Sequence, residues 1–130
     1  MRFLLDVSVL VAHGLRHHTF HHRVESWLES IQDASLLTCS ITELGFVRIL
    51  STPAVAGLRV DQARELLLAV KESPRPAFIF LPDPNSISML PGWVRTPKQV
   101  TDGHLLELAR VNEAQLATLD ARIPGAFLVP

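Results

Sequence analysis

Residues 3–12 have the sequence FLLDVSVLVA, an apolar run that a single acid, Asp6, interrupts. We predict that residues 2–5 form a first strand that ends at Asp6, and that a short helix covers residues 7–13. In an open parallel sheet, the carboxyl ends of strands and the starts of the following helices share one edge, where ligands bind. The N-terminal segment therefore predicts an acid at the ligand-binding edge of a sheet.

The composition indicates one folded domain over residues 1–130. Of the 130 residues 48% are hydrophobic and the mean hydropathy is +0.25, which argues against disorder. The single cysteine, Cys39, excludes an internal disulfide framework and favours a reducing, cytoplasmic location. We expect no membrane span, because the apolar N-terminal run is short and contains Asp6. A net charge of -1 argues against a protein that coats nucleic acid through bulk positive charge.

Strand-like and helix-like segments alternate along the rest of the chain, which predicts an α/β fold with a parallel sheet. Further strands are predicted at residues 35–38, 77–81, 115–119 and 126–129. Further helices are predicted around the apolar stripe Phe20, Val24, Trp27, Leu28 and Ile31, at 40–50, at 60–71, briefly near 86–93, and at 102–112. Ser40 and Thr101 are the expected N-caps of the helices at 40–50 and 102–112.

Four acids are placed where this fold would bring them to one edge. Asp6 and Asp120 follow strands, and Glu43 and Asp102 lie in the first turns of helices. Such carboxylates repel one another unless cations neutralise them, and sites made of oxygen ligands suit magnesium or manganese. Each acid also has a structural explanation: a helix cap for Asp6 and Glu43, the helix dipole for Asp102, a turn for Asp120.

Glu43 gives the sharpest version of this argument. Phe46, Val47 and Leu50 share its helix face, and the other side carries Ile41 and Leu44, so the helix is expected to be buried nearly all round. A buried carboxylate is costly unless it is paired or bound to a metal. Arg48, on the same helix, is expected to pair with an acid.

Four segments, in order along the chain, carry a family resemblance: FLLDVSVLVA, SITELGFVRIL at 40–50, VTDGHLLELAR at 100–110 and LATLD at 116–120. Together they resemble the PIN-domain ribonucleases, and specifically the VapC toxins of type II toxin–antitoxin modules. The likeness covers essentially the whole chain in order. It implies a three-layer α/β/α PIN-like fold with a mostly parallel five-stranded sheet, a homodimer, and a divalent-metal endoribonuclease held inactive by a cognate VapB-like antitoxin.

The resemblance also implies residue roles. Asp6, Glu43, Asp102 and Asp120 match the acidic quartet of the family, and Ser8 and Thr118 match polar positions beside the first and last acids. The implied mechanism is hydrolysis of an RNA phosphodiester, in which one or two Mg²⁺ or Mn²⁺ ions activate water. Asp6, Glu43 and Asp102 would hold the principal ion, and Asp120 would bind a second ion or orient water.

Basic and aromatic residues give weaker indications of where RNA would bind. Arg95 and Lys98 precede Asp102 and are candidates for holding RNA phosphates, with ordinary solvated charge as the alternative. Trp27 is expected in the core, and Trp93 is the better candidate for base stacking.

Five histidines crowd residues 13–22, with His17/His21 and His18/His22 at a spacing that can bind a transition metal. On a helical projection these histidines point to opposite sides, so they do not converge on one ion. This favours structural roles.

Two other functions fit parts of the sequence. The first is a non-catalytic α/β module that binds a metal or a partner, such as a receiver-like domain. A receiver should carry an acidic pair after its first strand and a lysine after its last, and neither is found near Asp6 or Asp120. The second is a PIN-like protein without activity, against which the intact quartet argues. Helices 40–50 and 60–71 carry more apolar residues than one face packed against the core requires. The surplus is compatible with a dimer interface or an antitoxin-binding groove.

Overall fold

Strands and helices alternate along the chain, as predicted, in the computed structural model, which describes all of residues 1–130. The strands are β1 (Arg2–Leu5), β2 (Ser35–Thr38), β3 (Ala77–Phe80), β4 (Gln115–Thr118) and β5 (Phe127–Leu128). The helices are α1 (Val7–Gly14), α2 (His21–Ser30), α3 (Ser40–Leu50), α4 (Val60–Lys71) and α5 (Val100–Val111). None of these helices combines the length and the apolar character needed to cross a bilayer.

The sheet is covered by helices on both faces, because successive strand residues point to opposite sides. Phe3 and Leu5 of β1 pack into one apolar cluster with residues of α1 to α4. Leu4, between them, packs into a second cluster with Leu105 and Leu108 of α5. The predicted three-layer α/β/α fold is therefore confirmed, with four helices on one face and α5 on the other.

The order of the strands determines where the carboxyl ends open into a crevice. All five strands are parallel in the order β3-β2-β1-β4-β5. The chain builds outward from β1 to β3 and then returns to the other side of β1 with β4. This reversal between β1 and β4 is a topological switch point, where open α/β sheets place their ligand sites.

Several predicted helix boundaries were wrong. Cys39, not Ser40, is the N-cap of α3, and its backbone N–H donates to Thr42 Oγ1 at 3.0 Å. Thr101 lies inside α5, which begins at Val100 after a 3-10 turn at Pro97–Gln99. The short helix near 86–93 is only a 3-10 turn, Ile87–Met89. Cys39 and Thr42 close the start of α3, and the 3-10 turn leads directly into α5, so Ser40 and Thr101 fall inside the helices.

The expectation that α3 is buried nearly all round was also wrong. Phe46 and Leu50 are in the core, but Leu44 is 71% exposed, so one face of the helix is solvent-accessible. Arg48 is exposed on the outer side and forms no ion pair, contrary to the prediction. The apolar surface of α3 thus exceeds what the core of this chain covers.

Candidate active site

Asp6 is held rigidly at the carboxyl end of β1. Its Oδ1 accepts a hydrogen bond from the backbone N–H of Val7 at 2.8 Å, which caps α1. Its Oδ2 accepts from the hydroxyls of Thr118 and Ser8, at 2.7 and 3.3 Å. The side chain is only 9% exposed. The structure therefore places both predicted supporting residues against the first acid.

Asp120 follows β4, directly across the switch point from Asp6. Thr118 links the two acids, because its hydroxyl donates to Asp6 and accepts from the backbone N–H of Asp120 at 3.0 Å. Arg122 donates from Nε and Nη2 to the two carboxylate oxygens of Asp120, both at 2.9 Å. This bidentate hydrogen bonding lowers the pKa of Asp120 and raises that of Arg122.

Asp102 completes a group of three acids. It lies in the first turn of α5, where partial burial raises its pKa, and the charges of Asp6 and Asp120 raise it further. The positive charge of Arg122 lowers the pKa of Asp102. We refer to Asp6, Asp102 and Asp120 as the acid group. Since the charges of Asp6 and Asp120 both act on Asp102, three of the four predicted acids lie near one another at the switch point.

Glu43, the fourth predicted acid, is placed differently. It lies beyond the end of β2, where its Oε2 accepts hydrogen bonds from Thr38 Oγ1 and Lys71 Nζ, each at 2.5 Å. Glu43 is not among the charges that perturb Asp102. The structure therefore brings together three acids of the quartet and pairs the fourth with a lysine.

The acid group has the chemistry of a site for a hard cation. Its donors are carboxylate oxygens, with the hydroxyls of Ser8 and Thr118 alongside, and such ligands suit magnesium or manganese. A bound cation would relieve the repulsion that raises the pKa of Asp102. No three His, Cys, Asp or Glu side chains, however, already approach closely enough to enclose an ion. Binding by the acid group therefore requires side-chain rearrangement, and Asp120 would have to turn from Arg122.

A cleft of about 230 Å³ opens beside two members of the acid group. It is lined by Trp93, Thr96, Lys98, Gln99, Asp102, Asp120, Arg122 and Ile123. Lys98 was predicted near the site and does line the cleft. Arg95 is exposed, and its backbone N–H donates to Gln99 Oε1 at 2.8 Å. The cleft therefore places aromatic and basic side chains beside the acids.

Arg122 and His104 were missed by the sequence analysis. Arg122 follows Asp120 by two residues, and this short spacing was the only available signal. His104 of α5 pairs through Nε2 with Asp83, which follows β3. The pair attaches the proline-rich connection before α5 to the helix that carries Asp102.

The histidine-rich segment has structural contacts, and the spacing argument for a metal fails there. Helix α2 begins only at His21, so His17 and His18 are outside it and Phe20, predicted on its apolar stripe, is exposed. His13 pairs with Glu25, and His21 Nδ1 lies 2.8 Å from the backbone oxygen of Ala12.

No protein-family model matches the chain, but several curated proteins do. Ribonuclease VapC29 of Mycobacterium tuberculosis is 35% identical, over 100% of this chain and 98% of that protein. Ribonucleases VapC44 and VapC38 of the same organism are each 34% identical, over 97% and 92% of this chain and 94% and 86% of their own lengths.

A solved structure has the same fold. The crystal structure of VapBC2 from Rickettsia felis, bound to a DNA fragment from their promoter, contains a chain that superposes with a TM-score of 0.67 at 16% identity. The superposition covers 98% of this chain and 97% of that one, which supports the fold alone. With identities of 34–35% over nearly the full length, the sequence relatives decide the family. The chain belongs to the VapC family of PIN-domain ribonuclease toxins.

Proposed function

We propose that this chain is a toxin endoribonuclease that hydrolyses RNA phosphodiester bonds with Mg²⁺ or Mn²⁺, and that a VapB-like antitoxin neutralises it. The observation that carries the metal-dependent mechanism is the acid group: Asp6 and Asp120 follow adjacent strands at the switch point and are linked through Thr118, and Asp102 lies in the first turn of α5. The ribonuclease names of the relatives at 34–35% identity support the reaction class.

Asp6, Asp102 and Asp120 are the proposed ligands. These residues would hold a divalent cation, which would supply polarisation of the phosphoryl oxygens and a water of lowered pKa. Ser8 and Thr118 fix the orientation of the Asp6 carboxylate through hydrogen bonds to Oδ2. Glu43, the fourth predicted ligand, is paired with Lys71 as Asp120 is paired with Arg122, so either acid would have to leave its basic partner to reach a cation.

The cleft beside the acid group is the proposed RNA-binding surface. Lys98 and Arg122 line it and carry the positive charge that phosphates require, while the net charge of the chain is only -1. Arg122, which is 89% exposed, has room to exchange the carboxylate of Asp120 for a phosphate. Trp93 lies in the same cleft and offers a face for base stacking.

An apolar groove between α3 and α4 is the proposed docking surface for the antitoxin. The groove, of about 360 Å³, is lined by Glu43, Leu44, Val47, Val60, Arg64, Leu67 and Leu68. Leu44 and Leu68 are 71% and 59% exposed there. An apolar groove between two helices suits an amphipathic segment of a partner. The VapBC2 structure from Rickettsia felis supports an antitoxin as the partner.

We propose that a second copy of the chain binds at the β3 edge of the sheet. β3 is an edge strand, and it exposes Ile79 and Phe80. An exposed apolar edge strand favours association with another chain. A homodimer in solution is therefore expected, and sedimentation of the free protein measures it.

Cleavage of a mixed RNA pool by antitoxin-free protein tests the proposed activity. We expect cutting with Mg²⁺ or Mn²⁺ and none with EDTA. Asp6→Asn keeps a side chain able to cap α1 but should lower the rate at least about 100-fold, since even changes behind a metal ligand cost 10–100-fold. Asp33→Asn, an exposed acid paired with Arg75, is the matched control and should cut normally. Intact RNA in every sample would favour a non-catalytic partner-binding module.

A further inference from the structure

The connection between β3 and α5 forms one wall of the cleft beside the acid group. Trp93, Thr96, Lys98 and Gln99 line the cleft from this side, and all four belong to residues 82–99. This segment contains four prolines, and its only regular structure is two short 3-10 turns. Its position therefore depends on the contacts that it makes with the rest of the chain.

A single polar contact attaches the start of this segment to the helix that follows it. Asp83, just beyond β3, pairs through Oδ2 with Nε2 of His104 on α5. The hydrogen bonds of residues 84–96 join them only to one another, to Asp83 or to Gln99. The side chains of Asp83 and His104 are 16% and 20% exposed, so the pair is largely shielded from solvent.

An apolar contact lies one residue away on the same helix. A Cβ on Gly103 would lie 2.2 Å from Val94 Cγ2 and 3.6 Å from Leu90 Cδ1, so these two side chains lie against the helix backbone. Gly103 and His104 directly follow Asp102 in the sequence. Two consecutive residues of α5 therefore hold the wall of the cleft beside the turn that carries Asp102.

The two contacts contribute differently to the position of the segment. Apolar packing is not directional, so the contact at Gly103 alone would allow the segment to slide. A hydrogen bond between a ring nitrogen and a carboxylate restricts both distance and angle. Oδ1 of Asp83 also accepts the backbone N–H of Asn85 at 3.1 Å, which orients the carboxylate. The pair therefore fixes where the segment starts its path across α5.

We propose that Asp83 and His104 form a clamp that holds residues 82–99 in place as one wall of the RNA cleft, and that both are positioning residues for RNA binding. With the clamp closed, Trp93 and Lys98 are already in place to meet RNA. With the clamp broken, RNA binding has to order the segment as well, which weakens the affinity. The RNA part of this inference rests on the proposed function, whereas the attachment of the segment does not.

Limited digestion with trypsin tests the attachment without any RNA. Arg95 and Lys98 are exposed within the segment, so trypsin can cut after them when the segment detaches. Loss of a hydrogen bond to a charged group raises the detached population about 10-fold, and slow proteolysis follows that population. Because the pair is partly exposed, we expect His104→Ala to be cut at these two sites about fivefold faster or more. Cutting after Arg64, an exposed residue of α4, should keep the parent rate because the fold is intact.

Two matched variants are the controls for this digestion. His104→Gln keeps an amide N–H that can reach Asp83, and it should be cut at nearly the parent rate. His13→Ala breaks a comparable pair, with Glu25, in which the side chains are 19% and 34% exposed and neither lines the cleft. The segment should be cut no faster in that variant. Equal cutting of the parent and His104→Ala would overturn the clamp, and so would equal acceleration in His13→Ala, because the effect would then be a general loss of stability.

The kinetics of cleavage of a mixed RNA pool with Mg²⁺ test the effect on RNA. Asp83→Ala and His104→Ala should each raise KM about threefold or more and lower kcat by a smaller factor, since the clamp acts on binding. The double variant should be little worse than the single ones, because all three lose the same contact. An unchanged KM in both single variants would refute the positioning role. If the parent protein cuts no RNA, the proposed function fails, and the trypsin digestion still decides whether the clamp holds the segment.

Discussion

Thr118 shows how single side chains build the candidate site. Its hydroxyl donates to Asp6 Oδ2 and accepts from the backbone N–H of Asp120, so one oxygen sets the distance between two acids on neighbouring strands. A hydroxyl suits this position because it donates and accepts at once. A Thr118→Val substitution keeps the shape and would remove both hydrogen bonds.

Some site residues were predictable from the sequence at this scale and others were not. Ser8 and Thr118, two residues from an acid, were predicted because they match polar positions of the PIN-domain family that the sequence resembles. Lys71 is 28 residues from Glu43 and meets it only because α3 and α4 pack together. Sequence spacing carries no information about such a contact, which explains why Glu43 was expected to need a metal.

Asp102 is expected to destabilise the folded chain at neutral pH when no metal is present. Its pKa is raised on folding, so the folded state keeps the proton over a pH range in which the unfolded chain has lost it. The free energy of unfolding therefore falls as the pH rises from the ordinary value of 3.8 through the raised pKa. Because the side chain is partly exposed and screened by solvent, we expect a penalty of only about 0.5 kcal/mol.

Urea unfolding of Asp102→Asn in EDTA measures this penalty. The variant should be more stable than the parent at pH 7, and its advantage should shrink as the pH falls below the raised pKa of Asp102. Asp33→Asn, whose carboxylate is exposed and paired with Arg75, should show no such gain. An Asp102→Asn protein that is less stable than the parent at pH 7 would contradict a net cost of ionising Asp102 in the folded chain.

At the scale of helices and strands, the hydrophobic pattern predicted which elements form. The polar residues were a poor guide to where the helices begin. The strand at 35–38 and the helices at 40–50 and 60–71 appear where expected, because each has an apolar face that the sheet buries. α2 begins later than its stripe suggested, since Phe20 remains exposed. The cap of α5 was misplaced because a 3-10 turn leads directly into the helix.

Gly103 permits α5 to pack closely against the connection before it. A Cβ at this position would lie 2.2 Å from Val94 Cγ2. We therefore expect Gly103→Ala to lower the free energy of unfolding by about 1–3 kcal/mol, the usual cost of overpacking. It should also weaken RNA binding, because Val94 adjoins Trp93 in the cleft.

Gly92→Ala is the matched control in the same connection. Its added Cβ meets nothing within 4 Å, so the substitution should leave stability nearly unchanged. Thermal unfolding and the KM for RNA cleavage measure both variants. Equal behaviour of the two alanine variants would mean that the contact between Gly103 and Val94 is unimportant.

At the scale of the whole molecule, the order of the strands explains why three acids meet and one does not. β1 and β4 are adjacent at the switch point, and their ends carry Asp6 and Asp120. β2, which leads to Glu43, is on the opposite side of β1. The sequence predicted that all four acids face one edge of the sheet, but it could not assign them to positions along that edge.

The groove between α3 and α4 is expected to determine neutralisation by the antitoxin. Leu68→Glu places a charge in the groove, where Leu68 is 59% exposed. We expect it to weaken antitoxin binding by about 10-fold or more, through loss of an apolar contact and desolvation of a charge, while the free toxin still cleaves RNA. Val55→Glu changes an equally apolar, 52% exposed residue outside the groove and should bind normally. Binding titrations that give equal affinities for both variants would place the antitoxin elsewhere.

The time course of RNA cleavage by antitoxin-free protein tests metal-dependent hydrolysis by the acid group most directly. EDTA is added during the reaction and excess Mg²⁺ is added later, and Asp102→Asn is followed in parallel. We predict that cleavage stops with EDTA and resumes with Mg²⁺, and that the variant is inactive throughout although it is folded. Cleavage that continues in EDTA, or an active Asp102→Asn protein, would contradict a metal held by Asp6, Asp102 and Asp120.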